Sequence, residues 1–355
     1  GSSLVSCYWN GAATYYRGLL KGLAHLGHQI TFYEPDAFER QQHRDIADPE
    51  WARVVVYQAS TEAWQGCLER AVRDSDLIVK ASGIGVFDNE LEIAVPEFAS
   101  PTVTTVFWDV DAPATLDSID QSPSHHMRRM IPQYDMILTY GGGEPVVNAY
   151  RRLGARLCEP IYNALDPETH HPVAALQDLA CDLSLLANRL PDREARIEEF
   201  FLRPAALLPN QTFILGGAGW ETKAVPSNVR LAGHVGTRDH NVFFGSAGAT
   251  LNVNRESMAR YGFSPPTRIF EAAGAGACII SDAWAGIEQF LEPDKEILIA
   301  SSGDALVEHL AALDADQRRR LADAARARVL SEHTYAHRAR HVSGLLDLGG
   351  REAAL

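Results

Sequence analysis

The chain has 355 residues, of which 46% are hydrophobic and 22% are charged, a balance typical of a globular protein long enough to form two hydrophobic cores. Its formal net charge is −14, which repels phosphate backbones and argues against nucleic-acid binding, so any phosphate site has to be organised locally. No apolar run reaches the roughly 18 residues needed to span a bilayer and no signal peptide is recognisable, so we expect a cytoplasmic protein without a membrane span.

The cysteine and histidine patterns predict no metal site. The five cysteines are scattered without a C-x-x-C pair, which is typical of buried free thiols. The histidine doublets His125–His126 and His170–His171 have no partner at the spacing of a motif such as H-E-x-x-H. We therefore expect neither a structural metal nor a bound cofactor.

The first 160 residues alternate short β-rich runs with helical stretches, the pattern of a parallel sheet covered by helices. The predicted strands are residues 4–8, 29–33, 54–57, 77–80, 102–107 and 136–139. The first two, with the amphipathic helix between them, form a predicted βαβ unit. Its first turn places Gly11 where the backbone approaches a neighbour or a ligand, although the full G-x-G-x-x-G pattern is absent. Gly11 is therefore a candidate for nucleotide binding.

Two carboxylates follow the predicted strand at residues 102–107. Asp109 and Asp111 lie at its carboxyl end, where α/β proteins place their sites. A hydroxyl nucleophile needs a positioned base as its proton is lost, so either residue is a candidate catalytic base. Both also fit a local role as turn-forming residues before the helix indicated by Pro113. Asp109 is the preferred base because it is nearer the strand end, whereas Asp111 is better placed to cap the helix.

A second alternating series begins after the proline-containing stretch at residues 164–172. Its predicted strands are 182–186, 212–215, 249–253, 278–281 and 297–299, and its predicted helices are 192–207, 238–244, 267–275 and 287–291. Helical patterns alone follow from residue 304 to 346. We predict two Rossmann-like parallel-sheet domains facing a cleft, residues 1–170 and 171–330, with a C-terminal helix at 331–355 that packs back on the N-terminal domain.

The most informative segment runs from residue 251 to 290. In it, two consecutive prolines stop one conformation and can start a helix, which leaves the amides near Thr267 and Arg268 unpaired. A positive helix dipole, free N–H groups and an arginine side chain converge at such a helix start, so a diphosphate could bind there. The preceding polar loop adds Arg255 and Ser264 as candidate contacts.

Glu271 lies one turn inside that helix, between apolar neighbours. A carboxylate in such surroundings needs hydrogen-bond donors, and the adjacent 2′- and 3′-hydroxyls of a ribose would supply two. The alternative is a surface pair with Arg268 at i, i+3, which would be worth only about 0.2–0.5 kcal/mol. Arg255 and Arg268 likewise have the alternative role of solvated salt-bridge residues.

The run FSPPTRIFEAAGAGACIISDAWAGIEQFLEP resembles the C-terminal domain of CgeB-like bacterial glycosyltransferases, and more distantly the E-A-x-x-x-G helix of the large retaining GT-B families. The segments NGAATYYRGLLKGLAHLGHQITFYE and WDVDAP extend the similarity over most of the chain. The resemblance implies a GT-B fold, a nucleotide-sugar donor and sugar transfer without a bound metal. It also implies donor-binding roles for Glu271 on the ribose, for Arg268, Ser264 and Arg255 near the diphosphate, for Gly217 beside the nucleoside and for the segment of His234 at the base.

Two features limit the resemblance. The retaining families carry two glutamates separated by seven residues, but the position eight residues before Glu271 is Phe263, so retention of configuration is not implied. The spelling Asp109-Val110-Asp111 matches the D-x-D pair that holds a divalent ion in the other major glycosyltransferase architecture. There, however, the chain would form one nucleotide-binding domain rather than two alternating halves.

Three functions remain open. The favoured hypothesis is a metal-independent, hexosyltransferase-like enzyme whose C-terminal domain binds a nucleotide-sugar donor and whose N-terminal domain binds a small-molecule, glycan or protein acceptor. The second is a nucleotide-sugar epimerase or hydrolase, because GT-B architecture also hosts such enzymes. The third is a non-catalytic sugar-nucleotide-binding protein of surface assembly, which the CgeB-like resemblance allows.

Overall fold

The computed structural model describes residues 2–8, 10–83 and 85–352, with side chains described as far as residue 346. The chain divides into two compact units, the first made of Gly1–Tyr162 and Tyr335–Leu355 and the second of Asn163–Thr334. The chain thus leaves the first unit once and returns to it for its last helix. Residues 353–355 of the predicted C-terminal helix lie outside the described residues.

All strand pairings within the described sheets are parallel. The strands are β1 Thr31–Asp36, β2 Arg53–Gln58, β3 Leu77–Ala81, β4 Thr104–Asp109, β5 Met136–Thr139, β6 Cys158–Pro160, β7 Cys181–Leu186, β8 Phe213–Gly216, β9 Val229–Gly233, β10 Ala247–Asn252, β11 Ile279–Asp282 and β12 Leu298–Ala300. In the first unit, β1 pairs with β2 and a separate sheet has the order β3-β4-β5-β6. The second unit holds one six-stranded sheet of order β12-β11-β10-β7-β8-β9.

Helices cover these sheets in both units. They are α1 Ala13–His25, α2 Thr61–Asp74, α3 Asp88–Phe98, α4 Ala112–Gln121, α5 Met127–Met130, α6 Gly143–Arg152, α7 Pro191–Ile197, α8 Arg203–Leu207, α9 His240–Gly245, α10 Glu256–Tyr261, α11 Thr267–Gly274, α12 Gly303–Ala312, α13 Ala315–Glu332 and α14 Tyr335–Glu352. A π-helical turn at Glu198–Leu202 joins α7 to α8. Within the described part of the chain, no helix is both long enough and apolar enough to cross a bilayer.

The strand order of the second unit reverses direction next to its first strand. From β7 the chain builds outward through β8 and β9, and then returns to the other side of β7 to add β10, β11 and β12. The carboxyl ends of β7 and β10 therefore frame a topological switch point, which is where open α/β sheets leave a crevice for ligands. Apolar strand residues buried on the sheet, among them Leu185, Phe213, Leu251 and Ile280, hold this edge in place.

Residues 4–8 do not form the predicted first strand, so that prediction and the predicted βαβ unit are wrong. Most of their backbone groups bond to side chains, and the carbonyls of Val5 and Cys7 accept from backbone N–H groups outside any strand. Leu4 donates its N–H to Glu34 Oε2 at 2.7 Å, and its carbonyl accepts from Arg17 Nε at 2.7 Å. Asn10 Nδ2 donates to two further carbonyls of the N-terminal segment. Because side chains satisfy these groups, no ladder forms along this segment.

The other predicted strands are present, with ends shifted by a few residues. The sequence analysis did not predict β6 and β9, which are three and five residues long. It also predicted a helix at residues 287–291, where the structure has only a 3₁₀ turn at Ile287–Gln289.

The last helix packs against the first helix of the first unit. Glycines on α1 permit this close approach, since a Cβ at Gly18 would lie 2.2 Å from Tyr335 Cδ2 and one at Gly22 would lie 2.8 Å from Ala339 Cβ. Residues four apart lie on one helix face, so the two glycines form a flat surface on which the start of α14 rests.

Candidate nucleotide-binding site

The switch point of the second unit is lined by a buried polar layer at the strand ends. Asn252, the last residue of β10, is fully buried and donates through Nδ2 to Ser281 Oγ of β11 at 3.0 Å. Its Oδ1 accepts from Arg268 Nη1 at 2.7 Å. The end of β10 therefore fixes the guanidinium of Arg268, which lies on the first turn of α11.

Arg268 and Arg193 are two half-buried arginines that lack a carboxylate partner. Neither forms an ion pair with any described residue, and Arg193 Nε is buried without a hydrogen-bond partner. Burial lowers the pKa of both groups, and like charges lower it further, with Arg193 acting on Arg268 and Arg255 acting on Arg193. A guanidinium keeps its proton in a protein, so these two arginines form a localised positive site. Carboxylates such as Asp282 act on both from a distance, but none of the described carboxylates pairs directly with either guanidinium.

Two neighbouring arginines are paired with aspartates. Arg255 Nε lies 2.6 Å from Asp192 Oδ2, and the Arg255 side chain remains 39% exposed. Arg196 Nη2 lies 2.6 Å from Oδ2 of the fully buried Asp282, which also accepts from the N–H of Asn254 at 3.0 Å. Burial raises the pKa of Asp282, and Arg196 opposes that rise. The Asp282 pair ties the end of β11 to α7, the helix that carries Arg193.

The start of α11 completes the positive end of the site. The helix begins at Thr267, directly after Pro266, and no side chain caps it. The N–H of Ile269 bonds to the carbonyl of Pro266, while those of Thr267 and Arg268 lie at the positive end of the helix dipole without an intrahelical acceptor. Ser264 is buried in the preceding loop and donates through Oγ to the carbonyl of Gly262 at 3.0 Å, so it shapes that loop.

Glu271 lies one turn further along α11, next to His240. Its Oε2 lies 3.8 Å from His240 Nδ1, and its side chain is 14% exposed. No described group donates a hydrogen bond to its carboxylate, and it forms no ion pair with Arg268, which bonds to Asn252 instead. Burial raises the pKa of Glu271, while His240 and Arg268 oppose that rise. The carboxylate therefore offers acceptor oxygens that the protein leaves unused.

Two histidines, His240 and His170, form a cluster with Glu271. His240 begins α9, and its Nδ1 is 3.4 Å from Nε2 of the buried His170, with the rings stacked at 5.6 Å. Burial lowers the pKa of His240 and lowers that of His170 to about 4. Both imidazoles are therefore neutral at pH 7. The sequence analysis noted His170 only as half of a doublet and did not select His240, since the two residues are 70 positions apart.

Three other candidate residues lie elsewhere or have a local explanation. Gly217 has φ +124°, and a Cβ there would lie 2.1 Å from the carbonyl oxygen of Ala187, so the approach of two strand ends requires this glycine. His234 follows β9 and is exposed. Gly11 belongs to the first unit, in the turn before α1, where a Cβ would meet nothing within 4 Å.

The two candidate bases in the first unit have opposite environments. Asp109 is fully buried, and its carboxylate accepts from Ser82 Oγ at 2.9 Å, Asp111 N–H at 3.0 Å and Tyr150 OH at 2.5 Å. Asp111 is exposed at the N-cap position of α4, but its side chain makes no capping bond, so the predicted capping role is wrong. Asp109 was the preferred base because it lies at the end of β4. The same position buries its carboxylate in the structure.

Comparison with known proteins identifies the fold. Residues 193–344 match the family model described as glycosyl transferase-like. No curated protein matches the chain. Sucrose-phosphate synthase from Thermosynechococcus elongatus superposes with a TM-score of 0.72 at 15% identity, over 96% of this chain and 93% of that one.

Two further solved structures are similar over nearly their whole length. Anabaena HepE in complex with UDP-glucose has a TM-score of 0.65 and 13% identity, covering 93% of this chain and 95% of its own. An α-glucosyltransferase in complex with UDP and a DNA containing an HMU base has a TM-score of 0.69 and 10% identity, with coverages of 98% and 100%. These neighbours are GT-B glycosyltransferases, so the predicted GT-B fold is confirmed.

The buried pair of Arg196 and Asp282 should stabilise the second unit. We expect Arg196→Leu to lower the free energy of unfolding by about 3 kcal/mol, because it leaves the buried Asp282 without its partner. The matched control is Arg203→Leu, whose pair with Asp304 is exposed on both sides, at 43% and 65%. That change should cost no more than about 1 kcal/mol. Urea denaturation measures both, and equal losses would show that the pair does not anchor the site.

Proposed function

We propose that the protein is a glycosyltransferase that takes a sugar from a nucleotide-sugar donor and binds that donor in its second unit. The observation that carries the proposal is that Arg193 and Arg268 form no ion pair with a described carboxylate and lie beside the unused carboxylate of Glu271. A nucleoside diphosphate offers both complements in one molecule. Its diphosphate supplies the missing negative charge, and its ribose supplies two hydroxyl donors.

Electrostatics favour this site for a phosphate group. The formal net charge of −14 repels anions from the molecule as a whole. Locally, Arg193 and Arg268 present planar guanidinium groups that can bond phosphate oxygens in pairs, and the start of α11 adds the amides of Thr267 and Arg268. Arg255 and Ser264 complete the proposed phosphate site. The exposed part of the Arg255 guanidinium can contact the phosphate, and Ser264 holds the shape of the loop before α11.

The comparisons support the kind of donor. UDP and UDP-glucose are bound in structures that share the fold of this chain, so we propose a nucleotide-linked hexose as the donor and UDP as the first probe. We also propose that the protein is CgeB-like, acts without a bound metal and works in the cytoplasm. With so acidic a chain, we propose a small-molecule, glycan or protein acceptor rather than a nucleic acid.

For the catalytic base we propose Asp111 rather than Asp109. The carboxylate of Asp109 already accepts three hydrogen bonds in a fully buried position, so it holds the loop after β4 in shape. Asp111 follows the same strand but is exposed, and a base has to reach the proton that it removes.

Donor binding can be tested by calorimetry with UDP and with uridine. Glu271→Ala should weaken both ligands, because each contains the ribose, and a lost hydrogen bond to a charged group costs about 1.5–3 kcal/mol, or roughly tenfold to hundredfold in affinity. Arg193→Ala and Arg268→Ala should weaken UDP more than uridine. Arg319→Ala, at a side chain that is 72% exposed in the same unit, is the charge-matched control and should change neither affinity.

Two results would contradict these assignments. Wild-type affinity for UDP in Glu271→Ala would remove the ribose role. Equal losses of UDP and uridine affinity in Arg193→Ala and Arg268→Ala would remove the diphosphate role.

Turnover tests the base and the metal requirement together. With UDP-glucose, a panel of sugar and peptide acceptors and EDTA present, Asp111→Asn should lower the rate of UDP release by about 10²- to 10⁴-fold while UDP affinity stays unchanged. Asp109→Asn should instead lower stability, since one of its acceptor oxygens becomes an amide donor. Full activity of Asp111→Asn would exclude it as the base, and activity that requires Mn²⁺ would overturn metal independence. Mass spectrometry of the products distinguishes transfer from epimerisation or hydrolysis.

A further inference from the structure

We propose that His170, His240 and Glu271 form a binding site for a divalent transition-metal ion of the zinc class. Each residue offers one ligand atom, and the three atoms lie within 4.8 Å of one another. They come from three separate elements of the second unit, the segment before β7, the start of α9 and the middle of α11. Spacing in the sequence therefore gives no sign of the cluster.

The distances fit tetrahedral coordination. Two ligands bound to zinc at 2.0–2.1 Å with a tetrahedral angle lie roughly 3.4 Å apart. His170 Nε2 and His240 Nδ1 are 3.4 Å apart, and His240 Nδ1 and Glu271 Oε2 are 3.8 Å apart. These two separations are within a few tenths of an ångström of the tetrahedral value, and all three ligand atoms lie within 4.8 Å of one another.

The chemistry of the donors and their support fit the same ion. Two imidazole nitrogens with one carboxylate oxygen suit zinc and its neighbours rather than magnesium or calcium, and they leave a fourth position for water. The backbone of Val235 hydrogen-bonds to His240, which is the kind of outer contact that orients a metal-binding imidazole. Phe244 packs edge-on against the same ring at 5.8 Å.

A hydrogen bond between the two histidines is the competing explanation of the short contact. At 3.4 Å between the nitrogens, such a bond is long and weak. In the protein without a nucleotide, it would involve only the two histidines, whereas one metal ion would engage all three groups. The metal explanation therefore accounts for more of the cluster.

Glu271 belongs both to this metal site and, if the proposed function is correct, to the site for the donor ribose. A carboxylate oxygen bound to a metal ion cannot also accept from a ribose hydroxyl with full strength. Metal and nucleotide should therefore weaken each other, by the same factor in both directions. The ion would act as an inhibitor of donor binding rather than as a catalyst.

Cobalt titration of the full chain after chelator treatment tests the metal site without any nucleotide. We expect one equivalent of Co²⁺ to give the visible absorption bands of a four-coordinate ion, which Zn²⁺ then displaces. His170→Asn should weaken binding at least tenfold, and so should Glu271→Gln. His125→Asn, at a stacked histidine pair outside the cluster, is the matched control and should bind as wild type does. Failure of the wild type to bind one equivalent, or unchanged binding in His170→Asn, would overturn the site.

Calorimetry with UDP tests the shared carboxylate. Zn²⁺ should raise the apparent Kd of UDP at least fivefold in the wild type but not in His170→Asn, which keeps Glu271 for the ribose. Equal inhibition in both proteins would mean that zinc acts on UDP itself, and this would contradict the shared role. If the wild type does not bind UDP, the proposed function fails, while the cobalt titration still decides whether the metal site exists.

Discussion

The candidate site of the second unit depends on two arginines that form no direct ion pair with a carboxylate of the described residues. Arg193 and Arg268 are half-buried, close enough for their charges to repel, and neither pairs with a carboxylate among the described residues. Such an arrangement is unfavourable unless an anion joins it, because a buried charge needs a partner or coordination to offset its desolvation. Carboxylates such as Asp282 act on both arginines only from a distance, and none pairs directly with either guanidinium among the described residues. This lack of a direct partner is the observation on which the proposed ligand site rests.

Sheet topology explains why the charges lie where they do. The order β12-β11-β10-β7-β8-β9 opens a crevice between the carboxyl ends of β7 and β10. The segment after β7 leads into α7, which carries Arg193, and the segment after β10 is the loop that carries Arg255. The strand ends fix what stands in the crevice, since Asn252 holds Arg268 and Asp282 holds Arg196. These hydrogen bonds hold the guanidinium groups of Arg268 and Arg196 in place without a ligand, so the polar layer preorganises the site.

Local signals in the sequence predicted most of the strands and helices of this unit and selected some residues of its candidate site. The paired prolines and apolar spacing identified α11, and a carboxylate between apolar neighbours identified Glu271. Arg193 was missed because an arginine in a predicted helix resembles any solvated residue until its neighbours in space are known. The same holds for His170 and His240, which only the fold brings together.

In the first unit, side chains overrode the local pattern. Residues 4–8 are apolar enough to predict a strand, but Glu34 and Arg17 bond the backbone of Leu4 from distant positions, and Asn10 bonds the carbonyl of Ser6. Asp109 was placed correctly at a strand end, but no sequence pattern shows that Tyr150 and Ser82 bury and saturate its carboxylate. Long-range side-chain bonds of this kind have no period and no fixed spacing, so pattern analysis cannot detect them.

The central claim is that Arg193, Arg268 and Glu271 of the second unit complement one nucleoside diphosphate. A crystal structure of the protein with UDP tests it most directly. The account predicts diphosphate oxygens bonded to the guanidinium groups of Arg193 and Arg268, and both ribose hydroxyls within about 3 Å of the Glu271 carboxylate. UDP bound elsewhere, or with its ribose turned away from Glu271 and its phosphates away from both arginines, would contradict it.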